Sequence, residues 1–265
     1  MKKKFKPEEL IESVDAFPVP ILKIVYPNHQ SLRKTIVPIF LEMERWDIET
    51  SKPYTANSAT TYGNSFEKYL KKSVNKNLPG YGDRTRPNYS SALRAPALEE
   101  EMWIGHEILL ALPELKGLKE FILNVSRFAN KFIGVDGDLM FSGSWMSINR
   151  QYGFHGAHSH MPCLWSGVYY VQALKDDAPI TFIDANKKNN WPSAYGMFTG
   201  NQYSSPTFSL EPESGNLLLF PSWLEHQVEQ QMVPDRERIT ISFNLVGKPS
   251  DRDMLDHKEK VEALS

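Results

Sequence analysis

Apolar positions fall into two regimes along this chain. Up to about residue 135 they sit in one short extended run or recur at helical spacing, and from about residue 138 they cluster in short β-rich runs between turns. Residues 17–26, FPVPILKIVY, predict a strand. Residues 28–46 have helical spacing with Asn28 at a possible N-cap, and Pro38 is expected to kink or end that helix. Residues 47–96 are rich in Ser, Thr, Asn, Gly and Pro, sustain no period, and predict a long polar loop. Two further helices are predicted over 97–113 and 114–134, the first opening on Glu99–Glu101, where acids favour a helix N-terminus.

The second regime, 138–246, predicts strands: DLMFSGSWMSINRQY, WSGVYYVQAL, APITFIDA, PTFSLEP, GNLLLFPSWL, HQVEQQM and RITISFNLVG. The turn signals DD, NKKNN, PESG and VPD separate them. Many short strands with turn chemistry imply a sandwich or jelly roll, and helices before β-structure imply an α+β class. The expected organisation is a single domain over 1–265: strand, helices and loop in 1–135, a β core in 136–250, and a tail in 251–265.

Composition narrows the function classes. The chain has 265 residues, 41% of them apolar and 23% charged, with a formal net charge of −2. That is an ordinary globular balance and does not advertise nucleic-acid binding. The lone cysteine, Cys163, excludes an internal disulfide and fits a reducing compartment. The lysine-rich start is followed by Pro7, Glu8 and Glu9 rather than an apolar run, so no signal peptide is read. No apolar run is long enough to span a membrane, and a cytoplasmic location is expected. Between Glu67 and Arg94, lysines and arginines are interleaved with Tyr69, Tyr81 and Tyr89. This reads first as a solvated loop balancing the acidic 97–101 segment, and second as a surface for an acidic substrate.

Candidate chemistry concentrates in the β region. The stretch FHGAHSHMPCLW carries His155, His158 and His160, three of the chain's seven histidines. On an extended strand, positions two apart share a face, so His158 and His160 point the same way. His226 follows a turn and the strand GNLLLFPSWLE, from where it can supply a third ligand. Three protein ligands leave open positions on an octahedral ion, as in oxygen-activating non-haem iron sites. His155 is out of register with His158, with Gly156 between, and reads as loop or as outer support. The competing reading of the pair is surface decoration or core packing. Arg238, Thr240 and Ser242 share a strand face in RITISFN. A guanidinium with a hydroxyl two residues on suits a carboxylate. The alternative is a strand-edge arginine paired with Glu211 or Asp235.

At these motifs the sequence resembles the iron(II)/2-oxoglutarate-dependent oxygenases, in particular a bacterial and phage branch. The residues that carry the resemblance are HSHMP (158–162), SGVYYV (166–171), GNLLLFPSWLEH (215–226) and RITISFN (238–244). It is strong over 138–247, while the N-terminal half matches in general layout only. The resemblance implies a double-stranded β-helix (jelly roll) core with N-terminal helices packed on it. It implies Fe(II) held by His158, His160 and His226, with 2-oxoglutarate bound by Arg238 and Thr240, and Asn149 and Tyr170 as further contacts. It also implies dioxygen as reactant, release of succinate and CO2, and hydroxylation of an unidentified small-molecule or peptide substrate; the charge balance and the lack of a long apolar run lead to neither nucleic acid nor membrane being expected as partner. Loops 47–96 and 187–205 are the expected lids.

One departure stands out. Most of that superfamily has a carboxylate where His160 stands; Asp184 is the nearest substitute and reads more simply as a turn aspartate. Three other readings remain: a three-histidine cupin-type dioxygenase without keto acid, a zinc hydrolase or isomerase, and a non-catalytic jelly-roll binding module.

Overall fold

Each short run after residue 138 leaves a row of backbone donors and acceptors that only another strand can satisfy. In the computed structural model, which describes residues 19–50, 60–62, 88–90, 109–184 and 205–248, those runs assemble into two sheets. The N-terminal half supplies β1 (Leu22–Val25), α1 (His29–Thr50), β2 (Thr60–Tyr62), β3 (Asn88–Ser90) and α2 (Lys116–Phe132). The rest supplies β4 (Leu139–Asn149), β5 (His155–His158), β6 (Trp165–Gln172), β7 (Ile180–Ile183), β8 (Thr207–Leu210), β9 (Asn216–Pro221), β10 (His226–Val228) and β11 (Arg238–Gly247).

The large sheet has the order β1-β9-β6-β11-β4-β3-β2 and the small one β5-β10-β7-β8. Strands β4 to β11 pair only antiparallel, four in each sheet, and this is a double-stranded β-helix. The N-terminal half extends it: β1 runs antiparallel along β9, β3 antiparallel along β4, and β2 parallel to β3.

The large sheet is the middle layer, and strand alternation divides its side chains. Trp165, Tyr169 and Val171 of β6, with Leu217 and Leu219 of β9, join the core shared with the helices. Val168 and Tyr170, with Leu218 and Phe220, join the core shared with Ile180 and Phe182 of the small sheet. Burial on both faces explains why these strands read as near-continuous apolar runs.

Helix α1 presents Leu32, Ile36, Phe40 and Met43, all buried, to the outer core. The Asn28 carbonyl accepts its first bond, from the Leu32 N–H at 3.1 Å. Contrary to expectation, the helix runs through Pro38 to Thr50. Pro38 and Lys34 are both exposed, so water can serve the carbonyl that Pro38 leaves without a donor. A mid-helix proline costs about 3 kcal/mol, whereas each large apolar side chain buried contributes roughly 1.5–3 kcal/mol.

The predicted helix over 114–134 is α2, but of the one predicted over 97–113 only 109–113 is described, and that end is not α-helical. Leu109–Ala111 and Pro113–Leu115 form 3₁₀ turns. The Leu109 and Leu110 amides both donate to Ser144 Oγ at 3.1 Å, and Pro113 has no amide to continue a helix. Within the stretch expected to be loop, β2 and β3 are three residues each, too short to show a period. The rest of the candidate lids, the basic 67–94 stretch apart from β3, and the 251–265 tail lie outside the described residues.

Two contacts hold this frame around the site strands. Arg150, just past β4, donates to Glu44 of α1 through Nη1 at 2.6 Å and Nη2 at 2.8 Å, and Nη2 also reaches Glu237 at 3.0 Å. This buried bidentate pair ties the helix layer to the end of β4 and the start of β11. Gly167 of β6 lies opposite Phe243 of β11. A Cβ there would run into Phe243 Cζ and come within 2.8 Å of the Leu218 carbonyl oxygen. Overpacking of this kind costs roughly 1–3 kcal/mol. Gly167→Ala should therefore lower the thermal unfolding midpoint, and adding Phe243→Leu should restore part of the loss. An unchanged midpoint in Gly167→Ala would contradict the close approach of β6 and β11.

Candidate metal centre

The small sheet brings two of the histidines together by register. His226 of β10 pairs directly with His158 of β5 and, on its other side, with Phe182 of β7. Directly opposed strand residues have Cβ atoms roughly 4.5–5.5 Å apart. His160 lies two residues beyond the end of β5, where its N–H donates to the Ser222 carbonyl at 2.9 Å and its own carbonyl accepts from Cys163 at 3.0 Å. The ring centroids are 4.4 Å apart for His158 and His226, 4.8 Å for His158 and His160, and 5.3 Å for His160 and His226. One ring nitrogen from each lies within 4.8 Å of the other two.

The hydrogen bonds fix which nitrogens face the centre. His158 Nδ1 lies 2.7 Å from the Gly156 carbonyl and His226 Nδ1 lies 2.9 Å from the Leu224 carbonyl. A carbonyl only accepts, so both Nδ1 atoms donate and Nε2 is the ligand atom left to each ring. Metal-binding histidines are commonly oriented in this way. Burial, followed by the neighbouring imidazoles, lowers His160 to about 4. His226 is lowered to about 4 by burial and by His158, against an opposing effect of its carbonyl contact. Neutral imidazoles are the form that binds a metal, so the donor set fits a divalent ion. Among the described residues no carboxylate joins this cluster; Asp184, which follows β7, is not part of it.

Deeper in the same cleft the chemistry changes. Its wall carries Trp145, Ser147, the three histidines, Arg238, Thr240 and Ser242. Arg238, the first residue of β11, is 1% exposed. Its Nη1 donates to Asn149 Oδ1 at 3.0 Å, its Cζ lies 5.1 Å from the centre of the Tyr170 ring, and its Nε makes no hydrogen bond. Neither Glu211 nor Asp235 pairs with it, and among the described residues no carboxylate lies within ion-pair distance of its guanidinium. Thr240 faces the cleft as alternation predicts. Asn149 and Tyr170, expected as direct contacts, stand behind the wall and hold the guanidinium from strands β4 and β6. The Tyr170 hydroxyl is raised above its ordinary value by burial, with Arg238 opposing the shift.

One cleft residue faces differently from what its spacing suggested. His155 lines the cleft beside Arg238, and its Nε2 lies 3.0 Å from Asn149 Nδ2. Its spacing of three from His158 should turn it to the opposite face. The register explains why it does not: His158 pairs with His226 but His155 pairs with Val228, so two residues of β5 oppose one of β10. This β-bulge restores His155 to the histidine face. Gly156 at the bulge was the available signal. Burial, then the charge of Arg238, lowers His155 to about 3.

Residues 143–244 match the family model described as "Putative 2OG-Fe(II) oxygenase". No curated protein matches the sequence. Among solved structures, a Pseudomonas putida prolyl-4-hydroxylase is 14% identical over 87% of this chain and 94% of its own, with a TM-score of 0.46. The 2-oxoglutarate-dependent carbocyclase SnoK of nogalamycin biosynthesis is 10% identical over 89% and 84%, with a TM-score of 0.48. A 2OG-Fe(II) oxygenase-family oxidoreductase from Burkholderia pseudomallei is 16% identical over 53% of this chain, with a TM-score of 0.37, and the chain spans 62% of that protein's length. Residues 143–244, which run from β4 into β11 and include all three histidines of the cluster and Arg238, are thus similar to the 2OG-Fe(II) oxygenases.

Proposed function

We propose that this protein is an iron(II)- and 2-oxoglutarate-dependent dioxygenase that hydroxylates a small-molecule or peptide substrate and releases succinate and CO2. The observation that carries the reading is the pairing of two features in one cleft: three convergent imidazoles at one end, and at the other a buried guanidinium that no carboxylate of the described residues pairs with. A divalent ion held by neutral ligands leaves its charge uncancelled, and Arg238 adds to it. A dicarboxylate that meets the ion with one end and Arg238 with the other offsets both charges.

In this reading His158, His160 and His226 hold the iron, which when bound supplies the oxygen chemistry. Arg238 takes the distal carboxylate of 2-oxoglutarate in a bidentate grip, and the Thr240 hydroxyl adds a hydrogen bond. Asn149 and Tyr170 act through Arg238: the amide oxygen and the ring face keep the guanidinium aimed at the cleft. Trp145, beside His160 at 5.7 Å between rings, and Phe220, at 4.8 Å from His226, restrict water around the ligands. A second reading, a three-histidine dioxygenase without keto acid, is favoured by the lack of a carboxylate beside the histidines in the described residues. It leaves the charge of Arg238 without a purpose.

His226→Ala should abolish retention of a stoichiometric metal, because it removes the best buried ligand of the set; metal content by elemental analysis after dialysis reads this directly. Full retention would rule out the assigned centre. Arg238→Ala should leave metal content intact and raise the Michaelis constant for 2-oxoglutarate steeply. Truncating one partner of a desolvated charge pair costs about 2–5 kcal/mol, which is roughly 30- to several-thousand-fold in affinity. Arg238→Lys should recover only part, since an ammonium cannot grip a carboxylate bidentately. Succinate formation against 2-oxoglutarate concentration provides the curves, and superimposable curves for wild type and Arg238→Ala would favour the keto-acid-free reading.

A further inference from the structure

The hydrogen bonds behind the cleft form a chain with a fixed direction. A guanidinium only donates, so the Asn149 atom 3.0 Å from Arg238 Nη1 is the amide oxygen. The other end of that amide is then its NH2 group, and it faces His155 Nε2 at 3.0 Å. An amide NH2 also only donates, so Nε2 is the acceptor and the imidazole proton sits on Nδ1. The bulge in β5 has turned this ring onto the cleft face, beside Arg238 and the three histidines. Its Nδ1 makes no hydrogen bond to any described residue. An N–H donor is thus held ready in the cleft between a cation and a metal-binding cluster, where no side chain uses it.

We infer that His155 is a further co-substrate contact, whose Nδ1–H donates to a carboxylate oxygen of 2-oxoglutarate from a ring held in the Nδ1–H tautomer by the Arg238–Asn149 chain. The inference rests on the proposed 2-oxoglutarate dependence. Arg238 then acts twice, once by its charge on the co-substrate and once, through Asn149, by fixing the proton of a second donor. The bulge has a use as well: regular pairing would turn His155 out of the cleft.

Two substitutions separate contact from scaffolding. Asparagine sets an amide near the position of Nδ1 and can keep the donor. Glutamine reaches the position of Nε2 and can keep only the contact with Asn149. The measurement is the equilibrium dissociation constant for 2-oxoglutarate in the full chain loaded with Zn(II), alongside metal content. A hydrogen bond to a charged group corresponds to roughly tenfold or more in affinity. His155→Gln should therefore weaken 2-oxoglutarate binding by about that factor, His155→Asn should stay within about threefold of wild type, and metal content should be unchanged in both. The reverse order would make His155 a support for Asn149 and overturn the inference, as would wild-type affinity in both variants. In wild-type Zn(II) protein, nitrogen NMR should find the neutral Nδ1–H tautomer at His155, with that proton moving downfield on adding 2-oxoglutarate. An Nε2–H tautomer, or no movement, would overturn the inference even where a variant does not fold. If wild type binds no 2-oxoglutarate, the dioxygenase reading itself fails. If wild type binds it and His155→Gln binds equally well, only the role of His155 fails.

Discussion

A guanidinium that is 1% exposed and has no carboxylate of the described residues beside it is the constraint on which the cleft depends. Burying an uncompensated charge costs several kcal/mol even after relaxation. The fold offsets part of that cost with its three central strands. Arg238 opens β11, Asn149 closes β4 on one side, and Tyr170 of β6 lies on the other. One neighbour gives a hydrogen bond and the other a ring face, and Nε is still left without a partner. The arrangement is therefore one charge short of balanced among the described residues, and under the proposed function the co-substrate's carboxylate supplies what is missing.

The histidine end depends on a different constraint, the pairing of two short strands. Strands β5 and β10 are four and three residues long, and their register alone sets His158 against His226. Backbone carbonyls within the same segments hold the Nδ1 atoms of both rings, so ring orientation is decided locally. Both ends of the cleft share the large sheet as their floor. That sheet is pinned from behind by the outer core and by the buried Arg150–Glu44 pair, which meets β11 through Glu237, next to Arg238.

Much of this was legible in the sequence because strand periodicity and burial act residue by residue. The alternation in WSGVYYVQ separated Tyr169 from Tyr170 onto different faces, and RITIS set Arg238 beside Thr240. What escaped depended on partners distant in the chain. His155 was turned by a bulge that exists only when β5 meets β10. The helix through Pro38 holds because its buried stripe lies on the opposite side from the proline. The Leu109–Ala111 turn is held by a serine hydroxyl 34 and 35 residues onward. Asn149 was read as a contact with the co-substrate, but its amide is occupied at both ends, by Arg238 and by His155.

The central claim is that one cleft holds a metal at its three imidazoles and a dicarboxylate against Arg238. A crystal structure grown without oxygen in the presence of Fe(II) and 2-oxoglutarate tests it directly. The account predicts a metal on the Nε2 atoms of His158 and His226 and on a ring nitrogen of His160, at roughly 2.0–2.2 Å, by analogy with other first-row divalent sites. It predicts 2-oxoglutarate bridging from that metal to the guanidinium of Arg238. A metal bound through a carboxylate in place of His160, or an Arg238 with no carboxylate against it while the metal is present, would contradict the account.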